Sequence, residues 1–378
     1  MNTSALLGVK LSVLVILVYI LVAIFGPIIA NEKPLYCHVE GDVTFPFLEK
    51  TLTKADDESC VLACIPYGPQ TTNINGHASL SPGSYPTHGS GKIHWLGTDK
   101  LGRDTAAGLI HGTRISLMIG VVSVIFTFFV GTSLGMAAAY YSVKGLKINI
   151  LQYITLIIAI TLGGFYFIFE WIYSGLIVAV WIALLMLFIL GILYFIFDKT
   201  FKKAPKYRIN PDQILMKIIT WRKSFPGIFL LLALTGVFVI PSVWNIIFII
   251  TVLGWTEFAR HARAETLAIM EENYITTARI LGFSDVRILI SHVLPNIMPT
   301  LVVLICFSVS GAILAESTIS FLGIGLPVET VTWGKMMASG RDMQQWWLVV
   351  FPGIAIMLII MSLNTIANHF LQKNRTNQ

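Results

Sequence analysis

Residues 273–295 read NYITTARILGFSDVRILISHVLP, a polar, hairpin-like stretch between two hydrophobic runs of a very apolar chain. Around it Leu267, Met270, Tyr274, Ala278 and Leu281 recur at three- or four-residue spacing, which predicts one helical face, and Gly282 stands where a helix commonly stops. Ser284 and Asp285 can cap a second short helix, whose apolar Val286, Leu289, Ile290 and Val293 lead to Leu294-Pro295 and the next run. The rival reading is a helix lying among lipid headgroups. Such helices are basic, whereas Glu265, Glu271, Glu272 and Asp285 here balance Arg260, Arg263, Arg279 and Arg287. Balanced charge suits a protein groove, and an internal loop of this kind fits a membrane protein that takes force from a soluble partner.

The rest of the chain supplies the membrane. Hydrophobic residues make up 55 % and charged residues 12 %, and the mean hydropathy is +0.76, far from the balance of a soluble domain. A helix crosses the hydrocarbon core with about 20 mostly apolar residues, while barrels show weak alternation, so long apolar runs predict an all-α polytopic protein. Eight runs qualify: 6–30, 115–141, 148–169, 174–197, 226–241, 242–258, 296–315 and 346–367. The first is too long for a cleaved signal segment and is read as a retained span.

Basic residues in short loops set the orientation. Residues 198–224 hold Lys199, Lys202, Lys203, Lys206, Arg208, Lys217, Arg222 and Lys223 against Asp198 and Asp212, which predicts a cytoplasmic loop. Lys144 and Lys147 put the 142–147 turn on the same side, and Glu170 marks an exterior turn. Both termini are then cytoplasmic and residues 31–114 lie outside. Cys37, Cys60 and Cys64 fall there. A disulfide is expected, joining Cys37 to Cys60 or Cys64, or Cys60 to Cys64. A metal site using His38 or His77 is the rival, but no zinc-type spacing is present. Gly89-Ser90-Gly91-Lys92-Ile93 fails as a phosphate-binding loop, with Pro86 at the leading glycine position and Ile93 at the metal-binding hydroxyl. The chain is therefore expected to bind no nucleotide, and no cofactor or metal.

Tyr274, Thr276, Thr277, Ala278, Arg279, Gly282, Leu294 and Pro295 lie on a segment that resembles the loop by which permeases of binding-protein-dependent ABC importers engage their ATPases. Ala278, Gly282, Leu294 and Pro295 match that family's pattern, while Thr276 and Thr277 replace its usual Glu and first Ala. More of the chain resembles one branch, the second-subunit permeases of the peptide/nickel (dipeptide/oligopeptide) importers. His94–Asp104, with Gly97, Thr98, Asp99, Gly102, Arg103 and Asp104, is similar to that branch's signature ahead of its second span. Gly311–Glu316, Ser320–Gly325, Trp333-Gly334, Gly340–Asp342 and Phe351–Gly353 follow in the family's order.

The resemblance implies a type I permease fold of six family spans, here with two more inserted. The expected division is a first span over 1–30, an exterior region over 31–114, a second span over 115–141 and an inserted hairpin with its basic loop over 142–225. A core permease domain over 226–371, with the coupling loop at 259–295, and a tail over 372–378 complete it. The hairpin reads as a peripheral packing element or, more boldly, a docking site for another membrane protein. The resemblance also implies a bacterial inner-membrane location, and partners in a second permease, one or two ATPases that use ATP and Mg²⁺, and an exterior binding protein; no nucleic acid is implied. Charge within a span is costly, so Glu316 reads either as lining the path or as a structural hydrogen-bonding group. Phe321, Gly323 and Gly325 mark a broken segment of the kind tolerated at membrane depth only inside protein or beside a cavity. An ion-coupled transporter or channel without ATPases is the competing class; it calls for a chain of ionisable residues through the spans, which the sequence lacks.

Overall fold

The computed structural model describes residues 3–39, 42–44, 60–86, 92–149, 206–238, 240–343 and 345–376, with Gly163, Trp181 and Leu185 singly. Its main helices are α1 (Thr3–Ile29), α2 (Thr105–Lys144), α3 (Pro211–Lys223), α4 (Gly227–Val237), α5 (Val243–Ile269), α6 (Asn273–Ile280), α7 (Asp285–Ile288), α8 (Leu294–Phe321), α9 (Trp333–Met343) and α10 (Trp347–Thr376). Among the described residues five helices are long and apolar enough to cross a membrane. A sixth results if α3 and α4, bent by 87° at their junction, make one span. Each of these overlaps one of the eight predicted runs; the runs 148–169 and 174–197, read as an insertion, lie outside the described residues, as does the Gly89–Gly91 stretch.

Several boundaries differ from the expectation, for a common reason: helical hydrogen bonding does not stop where apolarity does. Helix α2 begins at Thr105, ten residues before the predicted span, because Asp104 caps it, its Oδ1 accepting the Ala107 N–H at 2.8 Å. Helix α5 runs on to Ile269 through charged residues assigned to the loop. His261, within the expected coupling loop 259–295, is therefore a half-buried helical residue. The chain after Phe321 turns through Gly323 and Gly325, both at positive φ, and then forms α9.

Two compact units divide the chain. The first comprises Met1–Phe128, Pro241–Gly254 and Met298–Gln378; the second comprises Phe129–Ile240 and Trp255–Ile297. In the first, α1 lies along α10, with the Tyr19 hydroxyl on the Ala355 carbonyl at 2.9 Å. Ahead of α2, strands β1 (Tyr36–Val39), β2 (Asp42–Thr44) and β3 (Cys60–Val61) form an antiparallel sheet in the order β2-β1-β3. Cys37 and Cys60 face each other across β1 and β3 and are joined as a disulfide, leaving Cys64 free and exposed.

In the second unit, Gly131 and Gly135 stand one helical turn apart on α2, and a Cβ on either would collide with α5, at Phe258 or at the Ala259 backbone. Small residues at this spacing let two helix backbones touch. Ala138, Leu215, Ile219 and Ala259 continue the contact into a core that takes in α3. Strands β4 (Leu146–Asn149) and β5 (Lys206–Ile209) pair antiparallel, Asn149 opposite Lys206.

Candidate functional site

The candidate coupling segment lies wholly within the second unit. Helix α5 ends at Ile269, a turn through Met270–Glu272 intervenes, and α6 starts afresh at Asn273, so Leu267 and Leu281 do not share the single helix the spacing predicted. Helix α6 ends in a Schellman turn: Gly282, at φ +77°, donates to the Arg279 carbonyl at 3.0 Å and Phe283 to the Ala278 carbonyl at 3.1 Å. A side chain with a Cβ is disfavoured at that φ, which explains the glycine. Ser284 caps α7 through the Arg287 N–H. A π-turn over Leu289–Val293 then leads into α8, the Leu294 N–H reaching back to the Leu289 carbonyl just before Pro295.

The inward face differs from the expectation. Ile275, Ala278, Ile288 and Val293 are the buried residues, together with Met270. Tyr274, Leu281, Val286 and Ile290, all assigned to packing faces, are exposed, and with Ile280 they leave large apolar side chains in the open, 81 % exposed at Ile280 and 67 % at Leu281. Thr276 and Thr277 lie on the exposed side as well. Five large apolar side chains turned outward within seventeen residues do not contribute to the segment's own stability and mark a surface built to be covered.

Its base is held by charge. Asp285 Oδ1 accepts from the Tyr140 hydroxyl at 2.8 Å and from Lys144 Nζ at 2.6 Å, so the start of α7 is tied to the end of α2. Arg279 lies over the Tyr140 ring, 5.3 Å from its centroid. The Arg287 guanidinium covers Phe283, which stacks in turn on His292. Further ion pairs, Arg263 with Asp212 and Lys223 with Glu257, join α5 to α3. The sequence did not disclose the Asp285–Tyr140–Lys144 clamp, because Asp285 is more than 140 residues from both partners; an aspartate at a helix start is explained by capping alone.

The residues Gly97–Asp104 sit in the first unit as one tight structure. Asp99 Oδ1 accepts the Leu101 and Arg103 amides, each at 2.9 Å, and its Oδ2 pairs with Arg103 Nε at 2.7 Å. Gly97 and Gly102 take positive φ, and Gly102 packs directly on the Asn73 backbone. Thr98 accepts the Leu80 amide, and its own carbonyl takes the Trp347 indole N–H at 3.1 Å. Behind this lies a relay the sequence reading missed. Asp104 Oδ2 is 2.7 Å from His94 Nδ1, and His94 Nε2 is 2.9 Å from His77 Nδ1, all three buried, with Tyr67 stacked on the His94 ring at 4.2 Å. Burial, and then the neighbouring His94, hold the His77 imidazole below the ordinary histidine range.

Glu316 is fully buried. It accepts from Ser116 at 2.9 Å and Ser320 at 2.7 Å, with Ser317 at 3.4 Å, so it fastens α8 to α2. Gly323 and Ser320 line a cavity of about 300 Å³ between Arg103 and Lys335. Phe321 lies under the Arg341 guanidinium, and Gly325 is a turn residue.

Residues 206–376 match the model of the family described as the binding-protein-dependent transport system inner membrane component. A peptide transport system permease protein of Brucella suis biovar 1 (strain 1330) is 29 % identical over 280 residues, 74 % of this chain and 72 % of that one. The dipeptide transport system permease of Alkalihalophilus pseudofirmus is 26 % identical over 296 residues, 78 % of this chain and 75 % of its own. The glutathione transport system permease of Pectobacterium atrosepticum is 27 % identical over 282 residues, covering 74 % and 71 %.

Proposed function

We propose, for a chain that belongs to the permeases of the binding-protein-dependent ABC importers, that its cargo is a peptide of the dipeptide-to-oligopeptide class and that it forms one half of the channel. Membership makes it a multi-pass membrane component working with ATPase subunits and a substrate-binding protein. The peptide cargo rests on the names of the relatives, which run from dipeptides to glutathione. The other half of the channel is a second, related permease, and ATP with Mg²⁺ is handled by the ATPases, this chain binding neither. Both termini and residues 273–293 face the cytoplasm, and the segment ahead of α2 faces outward, where its disulfide survives.

The observation that carries the coupling role is the outward set Tyr274, Ile280, Leu281, Val286 and Ile290, on short helices anchored by Asp285. An ATPase groove covers these side chains as in other helix-in-groove docking. ATP-driven closure then moves the segment, and α8, which follows it directly, is carried with it.

Purification of the tagged chain from native membranes in mild detergent tests this reading. A second permease and ATPase subunits are expected to co-purify, and vesicles containing the assembly should take up a dipeptide only with ATP and the binding protein. A chain that purifies alone and transports under an ion gradient without ATP would overturn it in favour of a secondary transporter.

A further inference from the structure

The cavity beside Gly323 has charged walls, and their partners distinguish them. Asp99 is saturated by Arg103 and two backbone amides. Asp104 is saturated by His94 and the first turn of α2. Lys335, on α9, is different. Its ammonium donates to the Pro327 carbonyl and, at 3.0 Å, to the Thr330 hydroxyl, and among the described residues it pairs with no carboxylate. Partial burial pulls its pKa below the ordinary lysine value; Glu329 and Glu316 act in the opposite sense from beyond ion-pair distance, and Arg103 adds to the lowering. A half-buried cation whose nearest partners are neutral is poorly compensated, and an entering anion would relieve it. The rest of the lining is largely apolar, Leu326, Met336 and Leu348 among it, and the volume of about 300 Å³ stands at the small end of ligand pockets.

We infer that this cavity is a carboxylate subsite, in which Lys335 takes the C-terminal carboxylate of a small peptide as it enters the permease. The inference rests on the peptide reading above, since that carboxylate is the one anion every unmodified peptide carries. Arg103 borders the same space, and its guanidinium nitrogens other than the Nε engaged by Asp99 offer the carboxylate a second set of donors. The apolar lining accommodates a short side chain.

The test uses the complete importer, purified from native membranes into lipid nanodiscs. Lys335 is acetylated with excess amine reagent and followed by mass spectrometry, with exposed Lys100 as internal reference. Dialanine should slow labelling of Lys335 severalfold and leave Lys100 unchanged, and dialanine amide should slow labelling of neither lysine. In vesicles, Lys335→Met should raise the KM for dialanine uptake about tenfold with little change in the maximal rate, the loss of one charged hydrogen bond, and Lys335→Arg should restore most of it. Equal protection by dialanine and its amide, or protection by neither, overturns the subsite. So does protection by the binding protein alone, which would make the carboxylate that protein's own. The two readings fail separately: wild-type uptake without protection removes the subsite and keeps the cargo, whereas protection without uptake keeps the subsite and removes the cargo.

Discussion

An aspartate that accepts from a buried tyrosine hydroxyl and a lysine ammonium stands to lose about 1.5–3 kcal/mol through its charged hydrogen bonds when it is neutralised. Asp285 is in that position, and Tyr140 supplies most of the hold, because Lys144 is half exposed and its pairing is screened. Asp285→Asn is therefore expected to lower ATP-driven uptake about tenfold with an unchanged amount of protein in the membrane, and Lys144→Met to cost much less; uptake in vesicles alongside a membrane immunoblot reads both. His77 gives a pH prediction. Its folded-state pKa is depressed, so the unfolded chain binds the proton first, and the stability it contributes is complete above the ordinary histidine range and lost as pH falls below it. Hydrogen exchange of residues 92–104 should quicken on acidification across that range, and His77→Gln should flatten the dependence. None of this relay was visible beforehand. His77 and His94 are 17 residues apart with no ligand-type spacing, and only the fold places them in contact.

Elements were legible where a backbone rule applied and obscure where burial had to be guessed. Gly282 announced the end of α6 because the turn there needs positive φ. The break at Met270–Glu272 carried no glycine or proline, so the spacing seemed to continue through it. The inward face was misread for a related reason: periodicity identifies apolar residues but not which of them face the protein, and Tyr274, Leu281, Val286 and Ile290 are exposed. Gly282→Pro should abolish coupled transport while insertion survives, since proline cannot adopt that φ. Leu281→Glu should strip the ATPases from the purified assembly without altering the helical signal of the permease. Retention of the ATPases in that variant would displace the docking surface from α6. At the α2–α5 contact, Gly135→Leu should be far more disruptive than a substitution at Gly236, which meets nothing; thermal unfolding in detergent should drop by several degrees for the first alone.

At the scale of the whole molecule, six of the eight apolar runs coincide with described long helices or with the bent α3–α4 pair, and the separate motifs carried the resemblance to permeases. The strands ahead of α2 were not expected, because segments of two to four residues are too short for an alternating pattern to show in the sequence. The intervening stretch between the second span and α3 raises a different question, which β4 and β5 answer. Asn149 and Lys206 are partners across an antiparallel ribbon, so the residues that flank the stretch on either side lie next to each other. Replacing residues 150–205 with Asn-Gly, which closes such ribbons in two residues, should leave membrane insertion unchanged and keep uptake within about twofold of wild type, since closing a shorter loop costs less entropy; uptake reduced to background would instead assign the stretch an essential role. The same ribbon makes this a natural graft point. Chain can be added or removed here without moving the strands on either side, and an experimenter can use the junction between Asn149 and Lys206 as a port for a fluorescent reporter whose two ends lie side by side.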